Sequence, residues 1–204
     1  MISLPSVKIV GLTGMSGAGK STVSRIFARS GFYVVDCDGA ARDTARAGSP
    51  FLLELAMRFD GFVTPDGTLD RAAVAAVIFA DSEKRELYNK IIYPYITYNV
   101  IMQIKRAACD GKRFVLLDAP TLFEARLDCI CDAVVSVIAD ISLCQKRIMQ
   151  RDGLTEQQAC ARLSAQHDAD FYVSRSAYVI ENSGSQSELC RKAERAAASL
   201  RGNT

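Results

Sequence analysis

Tryptophan is absent from this 204-residue chain, histidine occurs once, at His167, and proline five times. One histidine excludes a histidine-rich metal centre. Neither charge is in surplus: 25 Lys+Arg stand against 23 Asp+Glu, a formal net charge of +2. That balance leaves no basic footprint for non-specific nucleic-acid binding. No apolar run approaches the roughly 18 residues of a membrane span. The opening MISLPSVKIVG has neither a basic leader nor a small-residue cleavage site. A cytoplasmic chain without nucleic-acid or membrane partners is the expectation. The seven cysteines, Cys37, Cys109, Cys129, Cys131, Cys144, Cys160 and Cys190, are odd in number and contain no C-x-x-C pair. They are expected to be reduced thiols rather than a disulfide or zinc framework.

What is present is ordinary globular material, 49% hydrophobic and 24% charged, enough for a real core. Short apolar runs at 7–12, 32–35, 114–117, 133–138 and 178–180 read as strands. They alternate with helical spacing, which predicts a parallel sheet covered by helices on both faces. About 75 residues between the second and third strands read as helices only, far beyond the dozen or so a plain crossover needs. Ser49-Pro50 is a cap followed by an N1 proline, and Pro65-Asp66-Gly67 is a turn. Residues 82–92 and 94–109 read as two helices, with Pro94 forcing a break or kink. A second excursion from Ser142 carries Lys146, Arg147, Arg151, Arg162 and Arg175, re-capped at Thr155-x-x-Gln158. Ser185-x-x-Glu188 opens the last helix.

Gly14-Met15-Ser16-Gly17-Ala18-Gly19-Lys20-Ser21 fits G-x-x-x-x-G-K-[ST], with a strand before it and an amphipathic helix starting at the lysine. Glycines let successive N–H groups turn toward phosphate oxygens, and the helix adds its positive end. Lys20 is placed to reach the outer phosphates and the Ser21 hydroxyl to ligate Mg²⁺. The chain is therefore expected to bind a nucleoside triphosphate. A GTPase would need N-K-x-D, and Asn89-Lys90-Ile91-Ile92 lacks the aspartate. Asp36-x-x-Gly39 fits D-x-x-G, yet only one helix separates it from the loop, leaving no room for a first switch segment. A motor ATPase usually carries an acidic residue after the strand-end aspartate, whereas Asp118 is followed by Ala119. A small phosphotransferase remains, with a helical lobe for its acceptor and an arginine-rich lid that excludes water.

Six segments in order resemble the dephospho-CoA kinase family. They are Leu12-Thr13-Gly14 entering the loop, Asp36-Cys37-Asp38 with Arg42, and Asp66-Gly67-Thr68-Leu69-Asp70-Arg71 closing at Ile78-Phe79. Pro120-Thr121-Leu122-Phe123-Glu124, Arg147 to Arg151 with Asp152, and Ala177-Tyr178 to Asn182-Ser183-Gly184 complete the set. The resemblance implies a three-layer α/β P-loop kinase fold in one domain. Its five-stranded parallel core would hold residues 1–39, 113–141 and 176–204, with an acceptor lobe at about 40–112 and a lid at about 142–175. It implies ATP and Mg²⁺ as cofactors and dephospho-CoA as the partner substrate. Asp36 would take the proton of the acceptor's ribose 3′-hydroxyl, although a helix cap is its plain alternative. Ser16, Gly17, Ala18, Gly19, Lys20, Ser21 and Thr22 would hold the nucleotide phosphates, and Asn182 would lie near adenine.

Arg147 and Arg151, four apart and so on one helical face, would neutralise the transferring phosphoryl group. Ser21 would serve the metal, Asp118 fits a ligand to a metal-bound water or a structural strand-end carboxylate, and Asp38 fits either a metal-bound water or a cap. Arg42 and Arg71 would hold acceptor phosphates or pair with Asp66 and Asp70. The chain departs from the family at Tyr93-Pro94, where a His-Pro is usual, so that position donates one hydrogen bond but cannot become cationic near neutral pH. Thr121 and Met15-Ser16 are further departures, and neither touches the glycines, lysine or serine of the loop.

Overall fold

A computed structural model describes residues 7–202 and every side chain among them except that of Phe79. The leader reading falls largely on residues 1–6, and the Phe79 half of the Ile78-Phe79 match is a side chain; both lie outside the described residues. The chain packs as two compact units, one of residues 1–35 and 106–204, the other Asp36–Lys105.

The first unit is built on a five-stranded sheet of order β2-β3-β1-β4-β5. Its strands are β1 (Lys8–Gly14), β2 (Tyr33–Asp36), β3 (Phe114–Asp118), β4 (Ala133–Ile138) and β5 (Tyr178–Glu181). Central β1 runs parallel to β3, from Lys8 opposite Phe114 to Leu12 opposite Asp118, and to β4, from Val10 opposite Ala133 to Gly14 opposite Val137. Val10, Leu12, Val115, Leu116, Leu117, Val135 and Val137 are wholly buried. Such runs of buried β-branched and leucine side chains require cover on both faces. The helices α1 (Lys20–Arg29), α6 (Ile141–Asp152), α7 (Glu156–Ser164), α8 (Ala169–Arg175) and α9 (Gln186–Leu200) belong to this unit. Phe27, Ile148, Leu163, Tyr172, Ala193 and Ala197 share one core cluster with the strands. Both predicted capping boxes form, Thr155 with Gln158 and Ser185 with Glu188.

The second unit holds α2 (Cys37–Thr44), α3 (Pro50–Arg58), α4 (Arg71–Ala80) and most of α5 (Ser82–Cys109). Ser49 caps α3 through Leu52 N–H, and Asp70 caps α4 through Ala72 and Ala73. The Pro65-Asp66-Gly67 turn closes with Gly67 N–H on the Thr64 carbonyl. Residues 82–109 form one helix rather than the two expected, with Pro94 inside it. Proline removes one i→i−4 bond and crowds the preceding turn, at a cost of about 3 kcal/mol. Packing on either side of it offsets this. Ile91, Ile92, Ile96 and Val100 are buried, and Phe51 meets Tyr88 and Tyr95 edge-on with centroids 6.1 and 5.9 Å apart.

Candidate active site

The turn after β1 curls because its glycines permit it and neighbouring backbone requires it. Gly14, at φ 141°, lies so close to the backbone of Val137 that a Cβ would collide with it. A Cβ on Gly17 (φ 80°) would sit 2.6 Å from the Cys144 carbonyl oxygen. Four backbone groups of the loop are held by other segments of the chain. Met15 N–H donates to Val137 O (3.1 Å), Ser16 N–H to Gln166 Oε1 (2.8 Å), Arg147 Nη1 to Gly17 O (3.4 Å) and Asn182 Nδ2 to Ala18 O (2.7 Å). By contrast the N–H groups of Gly17, Gly19, Lys20 and Ser21 have no acceptor among the described residues. Those amides, at the positive end of α1, form an anion cradle. Thr22 N–H donates to Gly19 O (3.0 Å), and Ser21 is exposed beside it.

Lys20 Nζ is ion-paired to Asp118 Oδ1 at the end of β3. Adjacency of β1 and β3 dictates this, since Leu12 lies opposite Asp118 and the loop leaves β1 two residues later. The two side chains are 20% and 18% exposed, so the pair is largely withdrawn from solvent. Asp118 therefore orients the lysine in this state.

Asp36 ends β2 and caps α2: its Oδ1 accepts from Gly39 N–H (3.0 Å) and its Oδ2 from Arg42 Nη2 (3.1 Å). Asp36-x-x-Gly39, the fragment shared with nucleotide switches, is thus a helix cap here. Arg42 pairs with Asp36 and not with the aspartates suggested from sequence; Asp66 takes Thr64 and Thr68 hydroxyls, and Asp70 caps α4. Arg71 has no ion pair among the described residues, and its charge opposes the upward shift that burial imposes on Tyr88. Tyr93 is half-buried and adds to that upward shift. Asp38 lies in the first turn of α2.

On α6, Arg147 reaches back to the loop and to the Asn182 carbonyl (3.3 and 3.2 Å), whereas Arg151 forks onto Asp152 (2.7 and 2.8 Å). Arg162 from α7 joins the same carboxylate at 2.7 Å. The Arg151 hydrogen bond, helped by both guanidinium charges, holds Asp152 below the usual carboxylate range. Asn182 is 6% exposed, with its side-chain amide engaged by the loop. Gln166 is a loop-contacting residue that sequence reading did not single out at all. A glutamine after a helix end has no signal of its own, and its partner lies 150 residues away.

Comparison with known proteins follows the same path along the chain. The family model described as dephospho-CoA kinase matches residues 8–188. A dephospho-CoA kinase of Anaeromyxobacter dehalogenans is 39% identical over 96% of this chain and 93% of its own length. One from Arabidopsis thaliana is 36% identical over 96% and 84%. Among solved structures, TT1252 from Thermus thermophilus superposes with a TM-score of 0.82 at 29% identity, covering 95% of this chain and 97% of that one. With a match this long running through the phosphate loop, both strand-end aspartates and the Arg147–Arg151 segment, the chain belongs to the dephospho-CoA kinase family.

Proposed function

We propose that the chain transfers the γ-phosphoryl group of ATP to the ribose 3′-hydroxyl of dephospho-CoA, giving ADP and coenzyme A. The observation that carries this reading is the family match across residues 8–188. The free loop amides beside Lys20 support it.

Phosphoryl transfer needs little covalent chemistry from the protein, so positioning and charge stabilisation must supply the rate. In this reading the amides of Gly17, Gly19, Lys20 and Ser21 grip the phosphates, with Ser16, Ala18 and Thr22 shaping the loop around them. Lys20 exchanges its hold on Asp118 for the γ-phosphate. The 3′-oxygen bonds to the γ-phosphorus as the bond to the β–γ bridging oxygen breaks, and the hydroxyl proton passes to Asp36. A carboxylate offers about four lone-pair sites; Gly39 and Arg42 engage two of them, leaving room for a hydroxyl. Arg147 and Arg151 meet the transferring group, Asn182 lies near adenine, and Arg42, Arg71 and Tyr93 face the acceptor.

Mg²⁺ prefers oxygen donors and usually keeps several waters, taking one or two protein groups plus phosphates. The exposed hydroxyl of Ser21 and the carboxylate of Asp118 fit that preference. No cluster of three or more His, Cys, Asp or Glu able to hold a metal occurs among the described residues. When bound, the ion neutralises charge across the β- and γ-phosphates.

We place the reaction in the cytoplasm, in keeping with the reduced thiols read from sequence; among the described residues no helix is long and apolar enough to cross a membrane. The test is ADP release from Mg·ATP with and without dephospho-CoA, with mass spectrometry of the acceptor. A gain of one phosphoryl group, with little ADP formed when acceptor is absent, is the expected result. An unchanged acceptor in the presence of bound ATP overturns the reading.

A further inference from the structure

Three consecutive residues of the phosphate loop are held by three separate segments: Ser16 by Gln166, Gly17 by Arg147 and Ala18 by Asn182. Arg147 and Asn182 are also tied to each other. Gln166 stands apart, because it reaches the loop from the segment between α7 and α8. Its carboxamide is oriented at both ends. Nε2 donates to Arg162 O at 3.0 Å, so Oε1 is the atom turned toward Ser16 N–H. Gln166 is half-buried and the contact part-buried, so the Ser16 amide is not freely served by water. It lies two residues beyond the end of α7, the helix that carries Arg162, whose guanidinium shares Asp152 with Arg151. One short chain of bonds thus runs from the lid carboxylate to the loop.

We infer that Gln166 is a positioning residue for nucleotide binding. It fixes Ser16 so that the next amides, from Gly17 onward, converge on phosphate before ATP arrives. The inference rests on reading the loop as the ATP site. Preorganised donors cost no rearrangement when the ligand binds; a loop that must first be ordered lowers affinity by the fraction of time it is competent.

The test uses the full-length protein and the near-isosteric Gln166→Met, which keeps length and removes the acceptor; Gln166→Ala serves as a second variant. ATP affinity is measured by calorimetry, steady-state kinetics are measured for both substrates, and Ser16 amide exchange is followed by NMR without nucleotide. Loss of one partly buried hydrogen bond predicts an ATP dissociation constant and KM raised roughly tenfold. KM for dephospho-CoA and kcat are expected to stay within about twofold, with Ser16 exchange accelerated. A merely structural role would lower thermal stability and move all kinetic constants together, and that pattern overturns the inference. So does an ATP affinity within about twofold of wild type, or unchanged Ser16 protection. Wild-type protein that binds no ATP would instead overturn the nucleotide site itself.

Discussion

In the proposed reaction Lys20 serves binding and Asp36 serves chemistry, and substitutions separate the two. Lys20→Ala removes the ammonium charge beside the cradle and strands Asp118, which is only 18% exposed. Its kcat/KM is expected to fall by about 10²-fold or more, the scale of losing one preorganised donor. Circular dichroism should confirm that the variant is folded, and a folded variant with retained activity would remove Lys20 from the phosphate site. Asp36→Asn is a sharper probe because asparagine still caps a helix. It is expected to bind ATP with unchanged affinity while turnover collapses; normal turnover would exclude Asp36 as the proton acceptor. At Asp152 the folded pKa is depressed, chiefly by the Arg151 hydrogen bond. A depressed carboxylate contributes stability that is complete above its unfolded value and lost as pH falls through the folded one. The triad of Arg151, Asp152 and Arg162 should therefore persist at pH 3.8, the ordinary midpoint, and dissolve only below it. Carboxyl-carbon NMR reads this directly, and a midpoint at or above 3.8 contradicts it.

Elements were legible in the sequence where their signals are local. The five strands, the cap and N1 proline at Ser49-Pro50 and both capping boxes depend on neighbours within four residues, and all of them form. Pro94 misled because the helix through it is sustained by packing. Its favourable contacts come from Phe51 and from isoleucines a turn away, which propensity does not see. Gln166 was illegible for the same reason, and the Lys20–Asp118 pair was hidden until strand order placed β3 beside β1. Pro94→Ala tests that account. It restores an amide donor at an exposed position and is expected to stabilise the protein by about 1 kcal/mol, part of the proline penalty being returned by the freer unfolded chain. A loss of stability in urea melts would mean that the proline ring itself is needed. Ser185→Ala should cost about 1 kcal/mol by removing one half of a capping box. A melt unchanged within error would show the start of α9 to be held by packing alone.

At the scale of the whole molecule, the two compact units raise a question that linkage answers. A ligand that binds only the native site stabilises by RT ln(1 + [L]/Kd), about 2.7 kcal/mol at one hundred times Kd. Only openings that destroy the nucleotide site are opposed by that amount; local openings elsewhere proceed as before. The free amides of the loop and Lys20 belong to the unit of residues 1–35 and 106–204. Helices α3 and α4 belong to the other, with their own buried set of Phe51, Leu52, Leu55 and Val74. Hydrogen exchange with saturating Mg·ATP is therefore expected to slow by up to about a hundredfold in β1, β3 and β4, while α3 and α4 keep their rates. Along α5 the change in behaviour should fall near Lys105-Arg106, where one unit gives way to the other. Equal slowing throughout α3 and α4 would show that opening this lobe and losing the nucleotide site are a single event. ATP would then protect residues 36–105 together with the unit that carries the loop. If α3 and α4 keep their rates, the acceptor site proposed for residues 36–105 predicts that adding dephospho-CoA slows them in turn.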